Sequence, residues 1–391
     1  MSKNNLIIIH GGAPTVTLNS SLYGVITECK QYEDSIGHVW GARNGVEGVL
    51  SNDWIELDRK TDEEIDALLT SPGTAIGSSR YPLNKDGYLK MLDHFGDNNI
   101  RYVLLSGGNG TMATCGYLSR LCKEKNNGIK VMGIPKTIDN DIDVIDHSPG
   151  YLSAAKYMIH TTREIIADVR SLPIHVCIIE AMGRNAGWIT AASSLSANND
   201  DLVPDLIYMP EKSFDEDRFL MNVKEIYARK GYAVVVASEG LRNNTGKPIV
   251  PEIYRQGRSV YYGDVGNYLA NLVIQKLHIK ARDEKPGIAG RSSIYLQSAI
   301  DRKEAVAVGK RAVREIMAGQ TGKMVGIFRS IVNHKYSPIY KLVDINKVML
   351  TESKLPDEFI SPENNYVTEK FKNWLRPMME IVDYFPIVNF N

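Results

Sequence analysis

The chain has no surplus of charge. Its 391 residues include 46 Lys and Arg against 46 Asp and Glu, so no overall field exists to hold nucleic acid or an anionic membrane, and any anion site must be local. Cysteine is scarce. Cys29, Cys115, Cys122 and Cys177 show no C-x-x-C spacing and no adjacent histidine, which removes the usual zinc patterns and points to reduced structural thiols. Long apolar runs are missing, since none approaches the roughly 20 residues of a membrane span. The short run Leu6–Ile9, cut off by His10-Gly11-Gly12, is too brief for the apolar region of a signal peptide, and a cytoplasmic protein is expected. Nor does a G-x-G-x-x-G open a βα unit with an acidic residue about 20 positions on, which argues against a Rossmann oxidoreductase.

What the sequence does have is alternation. Short β-branched runs at Leu6–His10, His38–Ala42, Tyr102–Ser106, Val131–Ile134, His175–Glu180, Leu206–Met209, Ala233–Ala237 and Met324–Phe328 predict strands. Between them, Ser20–Gln31, Lys85–Asn98, Thr111–Lys123, Tyr151–Val169, Glu216–Lys230, Val265–His278 and Arg302–Met317 have the period and length of helices. Alternation of this kind builds parallel sheets covered by helices. There are too many strands for one small sheet, so two α/β domains with a cleft between them are expected, with Pro/Gly breaks at Pro149-Gly150 and Lys285-Pro286-Gly287. The tail after Pro338 is less periodic, with Pro356, Pro362, Pro377 and Pro386, and is expected to wrap the surface.

The chemistry concentrates in loops that follow strands. Pro135-Lys136-Thr137-Ile138-Asp139-Asn140-Asp141 sets two carboxylates and a lysine at a strand exit, the end of an open α/β sheet where ligands bind. Two glycine-rich loops, Gly11-Gly12-Ala13-Pro14-Thr15 and Gly107-Gly108-Asn109-Gly110-Thr111, also follow strands, and the second opens directly onto a helix. Either is explained by a tight βα turn; together with Lys136 they form a phosphate cradle, because glycine lets backbone N–H groups approach an anion. Basic groups stand near other turns, in Gly77-Ser78-Ser79-Arg80, in Met182-Gly183-Arg184, and at Arg282 and Arg291. The guanidinium fork suits phosphate oxygens. The other histidines, His10, His38, His94, His147, His160, His278 and His334, lack ligand spacing and read as structural or surface groups, His147 standing nearest the active loop.

Taken in order, these pieces resemble the phosphofructokinase family, which includes ATP-dependent and pyrophosphate-dependent members. The resemblance rests on Gly11-Gly12 with Asn19-Ser20-Ser21-Leu22, on Gly41 to Gly48, on Gly77 to Arg80, Gly107 to Thr111 and Pro135 to Asp141, on Met182-Gly183-Arg184 with Ala186-Gly187-Trp188, and on Ser238-Glu239-Gly240. It implies two doubly wound α/β domains of phosphofructokinase type. Residues 1–150 plus about 290–340 would bind the phosphoryl donor, 151–289 the sugar acceptor, and 341–391 would wrap the surface. Asp139 would take the proton from the sugar hydroxyl, with Thr137, Asp141 and Lys136 beside it and Arg80 and Arg184 neutralising the transferred group. Gly11, Gly12, Arg80 and Gly107 to Thr111 would bind the donor. Met182, Gly183, Arg184, Glu239, Arg282, Arg291 and His175, with Thr137 and Asp139, would bind the sugar or sugar phosphate. Mg²⁺ would sit by Asn109 and Asp139, and a homodimer or homotetramer is implied.

Donor and acceptor are harder to read. In the family a second aspartate in the Gly-Gly-Asp-Asp loop accompanies pyrophosphate, and here Gly110 stands in its place, leaving room for a nucleotide and favouring ATP. Lys136 is the lysine of pyrophosphate users and of one ATP-using branch, so pyrophosphate is the alternative donor. Asn109 replaces a usual aspartate and would hold Mg²⁺ with one charge fewer. His175 stands where an arginine is usual and Ile288 where a histidine or tyrosine is, which predicts weak binding of fructose 6-phosphate or a different sugar acceptor. A non-catalytic sugar-phosphate or nucleotide sensor is the remaining alternative, and the intact Asp139 argues against it.

Overall fold

The computed structural model describes residues 3–197, 202–256, 259–332, 335–349 and 351–380, so His334 and Pro386 lie outside the described residues. Strands within that range are β1 (Asn4–His10), β2 (Ile36–Ala42), β3 (Trp54–Glu56), β4 (Ile100–Gly107), β5 (Lys130–Pro135), β6 (Val176–Ala181), β7 (Leu206–Tyr208), β8 (Ala233–Ser238), β9 (Glu252–Gln256), β10 (Ser259–Tyr262), β11 (Ala281–Glu284), β12 (Lys323–Val332) and β13 (Lys335–Asp344). The longer helices are α1 (Leu18–Cys29), α2 (Lys85–Asp97), α3 (Asn109–Glu124), α4 (Tyr151–Ser171), α5 (Glu216–Lys230), α6 (Val265–Leu277) and α7 (Ala299–Met317). The chain divides into two compact units, Met1–Ser153 with Arg291–Ser353, and Ala154–Gly290 with Lys354–Asn391.

The first unit is built on a seven-stranded sheet of order β13-β12-β5-β4-β1-β2-β3. Its centre is parallel, with β1 pairing β2 and β4, and β4 pairing β5. Both faces are covered, which is why Leu6, Ile7, Ile8 and Ile9 form an unbroken apolar run rather than an alternating one. Leu6 and Ile8 join α1 and α7 residues such as Leu22, Val25, Val308 and Val313 on one side. Ile7 and Ile9 join Met91, Phe95, Met112 and Leu118 of α2 and α3 on the other. From β1 the chain goes on to β2 on one side, while β4 and β5 lie on the other, so the loops leaving β1 and β4 diverge at their carboxyl ends. That divergence is where an open α/β sheet leaves a crevice for ligands.

The second unit has a four-stranded sheet of order β11-β6-β8-β7, with β6 and β8 parallel and every residue of both buried. Helix α5 begins where Asp215 accepts a hydrogen bond from the Arg218 N–H at 3.0 Å and ends at Gly231 in the left-handed region, an N-cap and C-terminal glycine of the usual chemistry. All eight predicted strands and all seven predicted helices fall on observed elements. The strands the pattern did not announce are short or at edges. β11 reads Ala-Arg-Asp-Glu along the edge of its sheet, and β13 carries Pro338 on the outermost strand, where a missing N–H costs the ladder nothing. The tail therefore starts as a sheet strand rather than a wrapping coil as far as Asp344.

Candidate active site

Three loops meet at the carboxyl ends of β1, β4 and β5. Gly11 N–H donates to Ser106 O at 2.9 Å, and Lys136 N–H donates to Gly107 O at 3.0 Å, so adjoining strand exits are tied to one another. Thr111, in the first turn of α3, explains two of the glycines. A Cβ on Gly11 or on Gly107 would overlap the Thr111 side chain, and this close approach is by itself enough to require glycine at both positions. Gly12 and Gly110 are different. Gly12 takes φ 80°, with Lys136 Nζ only 3.4 Å from where its Cβ would stand, while a Cβ at Gly110 would meet nothing within 4 Å. Gly108 would also tolerate a Cβ, 3.5 Å from Lys136 O.

Lys136 is buried, and its ammonium donates to Ala13 O at 2.6 Å across the first glycine loop. Burial lowers its pKa to about 8, with Arg80 and Arg291 pushing the same way and Asp139 and Asp141 opposing; desolvation disfavours the charged form and nearby cations add to that effect. The Arg80 turn is fastened to the same loop, for Gly12 N–H donates to Ser79 O at 2.9 Å and Ser78 Oγ donates to Gly12 O at 2.7 Å. Arg80 itself is exposed.

The stretch after Lys136 is held at successive residues. Thr137 N–H donates to Pro149 O at 3.1 Å, Asp139 N–H donates to Thr137 Oγ1 at 3.1 Å, and Asn140 Oδ1 accepts from Ser148 N–H at 2.9 Å. Asn140 takes a left-handed φ of 53°, which asparagine tolerates better than most residues. Asn109 Nδ2 donates to Asp141 O at 3.0 Å. Burial raises the Asp141 pKa and the nearby Glu352 adds to it, whereas hydrogen bonds from Thr137 and Asn109 oppose the rise. Two buried oxygens in this corner, Asn109 Oδ1 and Asp141 Oδ1, have no hydrogen-bond partner. Such orphaned oxygens suit a hard cation such as Mg²⁺. The sequence pointed to Asn109 with Asp139, and the orphaned pair adds Asp141. Among the described residues no group of three or more His, Cys, Asp or Glu could hold a metal ion, so a cation here would complete its shell with donor oxygens and water.

In the second unit, Met182-Gly183-Arg184 and Ser238-Glu239-Gly240 leave the adjacent strands β6 and β8. Glu239 Oε1 accepts from Gly183 N–H at 3.2 Å, and Ser238 Oγ donates to Gly183 O at 2.8 Å. Gly240 lies so close under this turn that a Cβ would collide with Arg184 O. The Arg184 guanidinium lies 5.4 Å from the Tyr262 ring centre, a cation–π contact. Burial raises the Glu239 pKa and Arg184 partly offsets it. His175 is buried just before β6 with Nε2 unpartnered; burial lowers its pKa, and Arg282 and Lys280 lower it further. Arg282 lies on edge strand β11, 59% exposed, and pairs with Glu284 at 3.2 Å. Arg291 falls in the first unit, where its charge reaches Lys136.

Sequence reasoning missed two residues of α7, Asp301 and Glu304. Asp301 accepts from Gly150 N–H at 2.8 Å, from Ser153 N–H at 2.9 Å and from Ser153 Oγ at 2.6 Å. Glu304 accepts from His147. Their only trace in the sequence is two acids one helical turn apart, which is indistinguishable from a solvated face.

A parallel α/β unit with glycine loops, a buried lysine and a pinned pair of carboxylates beyond its strand ends is built to handle phosphoryl groups. Comparison with known proteins narrows this class. The Phosphofructokinase family model matches residues 5–316, and the chain belongs to that family of phosphotransferases. It is 32% identical over 389 residues, 97% of this chain and 95% of the relative, to the pyrophosphate–fructose 6-phosphate 1-phosphotransferase of Rhodospirillum rubrum. It is 30% identical over 378 residues, 95% of this chain and 94% of the relative, to a sulfofructose kinase of Alkalicoccus urumqiensis. The crystal structure of a pyrophosphate-dependent phosphofructokinase from Marinobacter aquaeolei superposes with a TM-score of 0.87 at 32% identity, covering 99% of this chain and 94% of that one.

Proposed function

We propose that the chain transfers a phosphoryl group from ATP to the 1-hydroxyl of fructose 6-phosphate or a closely related anionic sugar. The observation that carries this reading is the open space at Gly110, at the start of α3 beside the pinned Lys136–Asp141 loop. An aspartate there would fill the place of a nucleotide's α-phosphate; glycine leaves it free. Asp139 takes the proton of the acceptor hydroxyl, its backbone fixed by Thr137 so that base and hydroxyl meet in one orientation. Lys136 and Arg80 offset the charge on the donor's oxygens. Asn109 and Asp141, with Asp139, are the groups that would hold Mg²⁺, which supplies charge neutralisation on the donor phosphates when bound. In the second unit, Glu239 accepts hydrogen bonds from sugar hydroxyls and Arg184 meets anionic oxygens.

A second donor, pyrophosphate, is favoured by the buried Lys136 and by the likeness to the Rhodospirillum rubrum protein. For the acceptor, burial and the neighbouring Arg282 and Lys280 disfavour the charged form of His175, where resemblance implies a permanent cation. That lowers the charge facing an acceptor's anion and suits a monoanion, such as a sulfonate, at least as well as a phosphate. Initial rates with ATP and with pyrophosphate at fixed Mg²⁺, each against fructose 6-phosphate and a 6-sulfonate analogue, test both points. Turnover with ATP is expected, with Gly110→Asp moving preference toward pyrophosphate by about tenfold or more. Turnover with pyrophosphate alone would replace the first donor with the second.

A further inference from the structure

We propose that His147 is a positioning residue for phosphoryl transfer, holding the Thr137–Asn140 loop from behind through the strap 146–150 and touching neither substrate. The inference rests on the reading of that loop as the site of transfer. His147 is fully buried, and both ring nitrogens face carboxylates: Nδ1 lies 2.8 Å from Asp146 Oδ2, and Nε2 lies 2.7 Å from Glu304 Oε2. An ionised carboxylate only accepts, so both contacts are hydrogen bonds only when both nitrogens carry protons. The carboxylates are themselves occupied. Arg329 Nε and Nη2 donate to Asp146 at 3.0 and 3.2 Å, and Tyr336 Oη donates to Glu304 Oε1 at 2.5 Å. Two cations and two anions therefore close a neutral set, buried at His147 and Glu304 and partly buried at Asp146 and Arg329, in which removal of one member strands the others.

The connections from this set lead to the transfer loop. Glu304 and Asp301 stand one turn apart on α7; the first holds His147, and the second holds Gly150 and Ser153. Pro149 O then receives Thr137 N–H, and Ser148 N–H donates to Asn140. On its other side the strap pairs with β12, where Asp146 N–H donates to Ile327 O at 2.9 Å. A neutral imidazole can donate from only one nitrogen, so discharge of His147 would set a lone pair against one carboxylate and loosen the strap. Burial alone would lower the His147 pKa, but Glu304 and Asp146 overcome it and raise the value to about 9. The other titratable or charged groups around the set are Arg329, Tyr336, Tyr340, Tyr151 and Asp301, which act on it through Asp146 and Glu304.

The test uses the pH dependence of kcat together with amide hydrogen exchange. Glu304→Gln leaves the ring one anionic partner, and the alkaline fall of kcat is expected to move down by about one pH unit or more, with both Michaelis constants within about twofold of the native values. His147→Gln is expected to lose the component of that fall near pH 9, leaving the one set by Lys136 near pH 8, and to run at roughly one-tenth to one-hundredth of native kcat. In the native enzyme, between about pH 7 and about pH 9.5, the amides of Thr137, Asp139 and Ser148 are expected to lose protection beyond the change in intrinsic exchange, while those of β8 do not. This last measurement needs no variant and decides the matter if the substitutions fail to fold. A component near pH 9 that neither Glu304→Gln nor His147→Gln alters, or loop amides equally protected at both pH values, would overturn the proposal. Turnover retained by Asp139→Asn would instead remove the base from the proposed function and leave the exchange result standing.

Discussion

The loop carrying Asp139 and the residues expected to grip the acceptor's anion are held in opposite ways. Thr137, Asp139 and Asn140 are each fixed by a hydrogen bond, and the strap behind them is anchored to α7 and β12. On the acceptor side, Arg282 is 59% exposed and Ile288 is 65% exposed. His175 is buried with one ring nitrogen unpartnered. The loop proposed for the chemistry is over-determined here, while Arg282 and Ile288, on the side proposed for recognition, can be exchanged at small cost. The first region resists substitution and the second invites it.

The largest effect that can break the comparison is at the base. Asp139→Asn is expected to lower kcat by about 10²–10⁴-fold with little change in thermal midpoint, and steady-state kinetics beside a melting curve check it. Next is the support behind the loop. The folded-state pKa of His147, about 9, lies above its ordinary 6.5, so the fold holds the extra proton. Its stabilisation, on the order of 3 kcal/mol, is complete below about pH 6.5 and is lost as pH rises through the folded value. Asp146 acts in the opposite sense, because its pKa is depressed to about 2 by His147 and Arg329 against burial; its share is present above the ordinary carboxylate range and fades as pH falls toward 2. Denaturant titrations at several pH values should show the alkaline loss in the native protein and not in His147→Gln.

On the acceptor side the effects are smaller. His175→Arg is expected to raise kcat/KM for a phosphorylated acceptor by about tenfold, the worth of one charge-assisted hydrogen bond; a rate series over sugar phosphates and uncharged sugars reads it. Arg282→Ala is expected to change stability by less than about 0.5 kcal/mol, because an exposed ion pair contributes little. A loss of several kcal/mol in a urea titration would show that this edge is as firmly held as the transfer loop and would erase the contrast.

The sequence was most legible where one physical cause acts locally. Apolar runs such as Leu6–Ile9 marked strands because both faces of the sheet are covered, and Pro135–Asp141 marked the candidate site because titratable groups stood at a strand exit. It was least legible where the cause lies far along the chain. His147 and Glu304 are 157 positions apart, and nothing near either announces the other. The glycine loops were found for only part of the reason they exist, since Gly11 and Gly107 serve the Thr111 side chain. Edge strands β11 and β13 hid because charge and proline, which argue against a central strand, are what a sheet edge accepts.

That wedge of Thr111 between two glycines has a consequence for how such an enzyme changes over time. The mount on which the donor rests is interlocked, so altering any one of its three members disturbs two loops at once. Gly110 sits beside the mount without being part of it, and a side chain added there meets nothing. On the proposed reading, a lineage could change what it spends as its energy source by this single replacement, with the interlocked glycines and Thr111 left untouched.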